Sequence, residues 1–266
     1  MADTQLEKPE FDQYYKWLLN KFQIEIDPTT KSYYEYITLK IKDEFEKSAV
    51  WTGLIKNLKE FNDQYQQETK YPLFASAKHE LDIKPFESFM LKTYKKNIQM
   101  NKNWPNEPNG GWVLSHNWFS RIDDTIRTLF VVKYFDGVKY LIEKIQNHCK
   151  TYTLPIAIHY EARQDGYYGA HLYIKPEFEI PKKELGTEIV KFSIELQITT
   201  QIQEVMRDVL HKYYDEKKMN VTKDEDNEWK WNYKSDEFSS SYLGHILHYV
   251  EGMIVETRDK QRTSMI

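Results

Sequence analysis

Apolar and polar positions recur with two different periods along this chain, and the changes of period mark out its elements. Residues 9–70 carry apolar and charged side chains at helical spacing, as in Lys40-Ile41-Lys42-Asp43-Glu44-Phe45-Glu46, with little glycine or proline to interrupt them. Pro85 fits the first turn of a helix running to about residue 100. The prolines and glycines around Trp104 make 101–112 a loop. Residues 125–134 read as a buried strand and 137–148 as an amphipathic helix. Further strands are predicted near 154–161, 168–174 and 189–199. A helix over 200–215, a polar acidic loop over 220–227 and a closing helix over 239–259 follow. This order predicts an α/β (α+β) chain, a mixed β-sheet of about five strands flanked by helices.

Composition narrows the reading. The chain has 266 residues with 20 Tyr, 13 Phe and 7 Trp, an aromatic content that serves a core and can also stack on bases. The core accounts for most of these rings. A net charge of −4 speaks against a surface that coats nucleic acid, while leaving room for a local basic patch. The single cysteine, Cys149, excludes an internal disulfide framework and a Cys-rich metal site. No signal-like leader and no long apolar run occur, so a soluble cytoplasmic protein without membrane contact is expected.

Chemistry concentrates in four places. In the strand Phe192-Ser193-Ile194-Glu195-Leu196-Gln197-Ile198-Thr199-Thr200 the apolar side chains point one way, and Ser193, Glu195 and Gln197 the other. Lys84, Ser88 and Lys92 recur at i, i+4 and i+8, along one side of a helix, where two ammoniums and a hydroxyl suit a polyphosphate. Asp123-Asp124 stands at the mouth of a strand and, with Glu195, offers the oxygen ligands that Mg²⁺ prefers. Gly166-Tyr167-Tyr168-Gly169-Ala170-His171 is a glycine-flanked tyrosine turn, a hairpin by itself but also a place for a ring to stack on a purine. Singly, each has an ordinary structural explanation.

In order, these elements resemble the RelA/SpoT-type alarmone synthetase family. That family shows a basic R-x-K…S…K helix, a catalytic Asp, a G-Y-x-S-x-H loop and an E-I-Q-I-R-T strand, and the resemblance covers roughly residues 80–215. It implies a nucleotidyltransferase-like synthetase fold with added helices: an N-terminal helical region over 1–79, the core over 80–218 and a C-terminal helical extension over 219–266 that packs on the core. It also implies an ATP-dependent pyrophosphokinase that uses Mg²⁺. By position, Lys84, Ser88 and Lys92 would hold ATP, Asp124 (or Asp123) and Glu195 would be catalytic and bind the metal, and Tyr167, His171 and Gln197 would receive the acceptor.

Two positions depart from the family pattern, Asp82 and Thr199 standing where it has arginine. A third difference is spacing: an arginine five residues after the Asp is usual, and here Arg127 follows Asp124 by three. Lys84-Pro85-Phe86-Glu87-Ser88-Phe89 with Lys95-Lys96-Asn97, Ile126-Arg127-Thr128 with the stretch 131–137, and the tail from Trp229-Lys230-Trp231 through His245-Ile246-Leu247-His248 to Ile254 resemble the toxic small alarmone synthetases of toxin–antitoxin and phage-defence systems. Several of these synthetases pyrophosphorylate the 3′-hydroxyl of the tRNA CCA end, which blocks aminoacylation and translation. The resemblance therefore implies a tRNA-modifying toxin with a neutralising antitoxin protein as partner. Lys95, Lys96 and His211 would be weak tRNA contacts. A purine-nucleotide (ppApp or ppGpp) alarmone synthetase is the alternative, and a catalytically inactive nucleotide-binding module the second.

Two features are set aside. His245-x-x-His248-x-x-Glu251 lines one side of a helix, but zinc helices favour histidines at i and i+4, so packed or partner-facing roles are expected. The hydrolase of bifunctional alarmone enzymes needs a His-Asp metal site, and no His-Asp dipeptide occurs in the chain, so synthesis without hydrolysis is expected.

Overall fold

A computed structural model describes residues 7–76, 79–183, 185–207 and 227–263. Its helices are α1 (Tyr14–Phe22), α2 (Pro28–Glu46), α3 (Ala49–Thr69), α4 (Phe86–Tyr94), α5 (Trp118–Arg121), α6 (Phe135–Thr151) and α7 (Asp236–Thr263). Residues 201–207 are helical as well. The strands are β1 (Asp82–Ile83), β2 (Ile126–Val132), β3 (Ile156–Ala162), β4 (Tyr168–Ile174), β5 (Glu177–Pro181), β6 (Thr187–Lys191) and β7 (Ile194–Thr200). A mixed five-stranded sheet has the order β1-β2-β7-β4-β3, and β5 and β6 form a separate antiparallel pair, so the expected α+β class holds.

The chain divides into two compact units. The first draws on Met1–Ser48, Leu81–Arg127 and Tyr173–Glu195. Its helix α2 starts where local chemistry demands: the Asp27 carboxylate accepts from the Thr30 amide at 2.7 Å, and Pro28 fills the first helical position. Buried Tyr34, Ile37, Ile41 and Phe45 recur every three or four residues along α2, and the Tyr34 ring lies 4.6 Å from that of Phe89 on α4. Helix α4 stops at Tyr94 and passes into a π-helical turn over Lys95–Gln99. The buried Asn97 in that turn is fully used: it donates to the Tyr14 hydroxyl and the Val113 carbonyl, and accepts from the Val113 amide.

Two expectations change here. Pro85 is the residue before α4 and not within its first turn. The stretch 189–199 is two strands and not one. The Phe192 amide donates to the Pro176 carbonyl at 3.0 Å, and its fully buried ring packs near Phe119 and Phe178, which closes the base of the β5–β6 pair and interrupts the ladder before β7 begins. Strand β7 is buried at six of its seven positions, so Glu195 lies inside and not on a solvated polar face.

The second unit draws on Ala49–Glu80, Thr128–Leu172 and Leu196–Ile266. Trp51, Leu54, Leu58, Phe61 and Tyr65 form a seam on α3 at alternating spacings of three and four, and Leu141, Ile142, Ile145 and Cys149 are buried along one face of α6. The His148 ring bonds the Val50 carbonyl at 2.8 Å and ties the two helices. At the far end of α7 the buried Arg258 donates to Asp136 at 2.7 Å, and the Tyr65 hydroxyl donates to the same carboxylate at 2.9 Å. Only 201–207 of the helix expected over 200–215 is described, and most of the 220–227 loop lies outside the described residues.

Candidate active site

In the first unit the basic and acidic site residues converge on Asp124. Lys84 reaches Oδ2 of Asp124 at 3.1 Å and Lys92 reaches the same atom at 2.8 Å. Lys84 precedes α4 and comes from the end of β1, where its amide donates to the Thr125 carbonyl and its carbonyl accepts from the Tyr34 hydroxyl. The two lysines thus approach from different elements and not as rungs of one helix. Ser88 is an exposed residue of α4.

Two ammoniums on one carboxylate leave a net positive charge. Burial alone would raise the Asp124 carboxyl, but Lys92 and Lys84 outweigh it and hold the group below the usual carboxylate range. For Lys84 burial wins over the attraction of Asp124 and pulls the ammonium's pKa down, with Arg127 and Lys92 adding repulsion. Arg127 faces Asp82 across the β1–β2 ladder, so the acid at the departed family position sits opposite a guanidinium that acts on Lys84.

Asp123 and Asp124 differ in depth. The Asp124 side chain is 14% exposed, whereas that of Asp123 is 38% exposed and pairs with Lys175 at 2.9 Å. Oδ1 of Asp124 is buried and has no hydrogen-bond partner among the described residues. Glu195 is buried too, and its Oε1 accepts from the Tyr173 hydroxyl at 2.9 Å. Burial, then Glu195, Asp124 and Asp123, push the Tyr173 phenol far above its ordinary value, so it stays protonated and donates. Three carboxylates acting on one phenol share a neighbourhood. Among the described residues no group of three His, Cys, Asp or Glu side chains is arranged to hold a metal. Mg²⁺ asks for less, one or two carboxylates completed by substrate phosphates, and the open oxygen of Asp124 with Glu195 fits that demand.

Lys96 turns inward. Its ammonium donates to the Arg121 carbonyl at 3.0 Å, and burial lowers its pKa against the pull of Asp123. Lys95 is half-buried on the same π-helical turn. Tyr173 and Lys175 escaped the sequence reading, since a tyrosine and a lysine at a strand end carry no motif.

The tyrosine turn belongs to the second unit. Gly166 has φ +81°, and the Asp165 carboxylate accepts from the Tyr167 amide at 3.1 Å. The Tyr167 hydroxyl bonds Nε2 of His171 at 3.0 Å, and the Arg163 guanidinium lies 4.9 Å from the Tyr167 ring centroid. A side chain at Gly169 would press on that hydroxyl, so glycine is what lets the ring fold back. Gln197 is half-buried on β7, and the buried Thr199 points its hydroxyl to the Tyr168 carbonyl. His211 lies outside the described residues.

Helix α7 packs directly on this turn. A methyl at Gly166 would collide with the Ser241 carbonyl, and one at Gly244 with the Gly166 carbonyl. The Tyr168 ring stacks on His248 at 3.6 Å and 4°, and its hydroxyl lies 2.7 Å from Nδ1 of His245. Nε2 of His245 meets the Gln164 carbonyl at 3.1 Å. A carbonyl only accepts, so Nε2 carries the proton and Nδ1 accepts from the phenol. His245 and His248 are therefore occupied in packing.

No protein-family model matches the chain, and no curated protein matches its sequence. Solved structures do. Small alarmone synthetase 2 from Bacillus subtilis superposes with a TM-score of 0.52 at 15% identity, over 85% of this chain and 98% of that one. A GTP pyrophosphokinase family protein from Streptococcus pneumoniae gives 0.50 at 15% identity, over 88% and 93%. The fold is that of the small alarmone synthetases. Its span takes in more than the motif-bearing core, since either match covers most of the chain. No helix among the described residues is long and apolar enough to cross a membrane.

Proposed function

We propose that this chain transfers pyrophosphate from ATP to a ribose hydroxyl, and that the acceptor is the 3′-hydroxyl of a tRNA CCA end. The observation that carries the reading is the grip of Lys84 and Lys92 on Asp124, whose second oxygen is buried and open. In this reading the hydroxyl oxygen attacks the β-phosphorus of ATP as the bond to the α-phosphate oxygen breaks, and AMP leaves. Glu195, held by Tyr173, orients the hydroxyl and takes its proton. Lys84, Lys92 and Ser88 bind the transferring phosphates, and the ammoniums offset charge as it develops. Mg²⁺, held by Asp124 and Glu195, would supply further neutralisation of the polyphosphate. Tyr167 stacks on the terminal adenine, with His171 and Gln197 beside it.

The tRNA acceptor rests on the tail's resemblance to toxic synthetases and on Asp82 and Thr199 at the two arginine positions. It makes the protein a translation-blocking toxin, acting without hydrolase activity in the cytoplasm and restrained by an antitoxin. A free purine nucleotide is the second reading, favoured by a fold neighbour described as a GTP pyrophosphokinase family protein. Purified protein incubated with γ-³²P-ATP and either deacylated tRNA or GTP, GDP and AMP decides between them. Label in tRNA supports the first reading, and label in a small nucleotide the second. Label in neither leaves a nucleotide-binding module without activity and overturns both.

A further inference from the structure

Ahead of α7 the chain alternates rings with ammoniums: Trp229-Lys230-Trp231-Asn232-Tyr233-Lys234. The segment starts on a 3₁₀ turn over Asn227–Trp231. Trp231 is 87% exposed and Tyr233 70% exposed. An indole left almost wholly in water forgoes the large area that normally draws it inside, which makes its position informative. The Lys230 ammonium lies 5.5 Å from the Trp229 ring centroid and that of Lys234 5.8 Å from the Tyr233 ring. Lys230 also donates to the Gln164 side chain at 3.4 Å, so the segment adjoins the turn that carries Tyr167. The acids that follow, Asp236 and Glu237, lie in the first turn of α7, where they offset the positive helix end.

We propose that residues 229–234 form a contact surface for single-stranded RNA, with Trp231 and Tyr233 stacking on unpaired bases and Lys230 and Lys234 meeting phosphates. This deepens the reading of the acceptor as a tRNA end and rests on it for the identity of that strand. Exposed rings interleaved with cations suit single strands because every base has a face to stack, whatever its identity. A surface of this kind reads no sequence, which matches an end shared by all tRNAs. Its place beside Gln164 puts the contact next to the terminal nucleotide and not at a remote site.

The test is fluorescence anisotropy of a labelled single-stranded RNA ending in CCA, titrated with the full chain. Expected is binding that weakens as salt rises, and that falls about tenfold or more in Trp231→Ala/Tyr233→Ala. Lys230→Glu/Lys234→Glu should weaken it too and flatten the salt dependence. Calorimetric ATP binding and thermal melts check that either double variant is folded, and the lysine pair serves if the aromatic pair is not. No binding by the parent chain, or equal binding by both variants, overturns the proposal. Binding lost in the variants without label transfer to tRNA would uphold the surface and sink the acceptor assignment.

Discussion

The Tyr173 hydroxyl donates to Oε1 of Glu195 across 2.9 Å, from a phenol that burial and three nearby carboxylates keep protonated. Glu195 is 2% exposed, and a carboxylate that deep depends on donors to hold its orientation. Tyr173→Phe keeps the ring and removes the donor. Expected is a fall in kcat for pyrophosphate transfer of about 10–100-fold, with KM for ATP little changed. An unaltered kcat would show that Glu195 needs no such support.

Asp124→Asn should abolish transfer and also cost stability, because it strips the counter-charge from the sparsely exposed Lys84 ammonium. A loss of about 1–3 kcal/mol is expected from the unpaired group. The pH dependence has a definite sign. Burial is outweighed by Lys92 and Lys84, so the carboxyl titrates below its ordinary 3.8 in the folded chain. Its stabilising effect is complete above that ordinary value and fades as the pH falls through the lowered one. Urea unfolding between pH 3 and 7 should show this acid limb in the parent chain and a weaker one in the variant.

Two glycines of α7 should respond in opposite directions. Gly244→Ala drives a methyl into the Gly166 carbonyl and should destabilise by about 1–3 kcal/mol. Hydrogen exchange should then quicken both in α7 and in the tyrosine turn. Gly252 has open space around the position of a side chain, so Gly252→Ala should stabilise the helix by about 0.5–1 kcal/mol. Equal effects in the two variants would contradict the close crossing.

Cys149 is buried on α6, and burial pushes its thiol up to about 11. A thiol is reactive as thiolate. At pH 8 the native chain should resist a thiol-specific reagent over hours and titrate fully once unfolded in guanidinium. Rapid native labelling would mean that α6 opens readily.

Much of this was legible in the sequence because single patterns decided it. The scarcity of glycine and proline over 9–70 announces helices there, and the apolar spacing of 126–132 announces β2, whereas the start of α2 at Asp27-Pro28 emerges only in the structure. The ordered lysines and acids pointed to Lys84, Lys92 and Asp124, which the fold brings to one carboxylate oxygen. The rest depends on partners distant in sequence. Nothing local says that Phe192 spends its amide on Pro176, so one strand was expected where β6 and β7 lie. Tyr173 resembles any core residue of a strand until Glu195 is beside it. Lys96 looked like part of a surface cluster, and only the π-helical turn aims it at the Arg121 carbonyl.

Two of the contacts that hold helix α7 are the Gly166 crossing at Gly244 and the bond of Arg258 to Asp136. These holds are about four turns apart, so both fall on nearly the same side of the rod. Inserting or deleting one residue between them would rotate one hold by about 100° away from the other. The segment therefore tolerates replacement of its side chains far better than any change in its length, and its natural variation should be free of gaps.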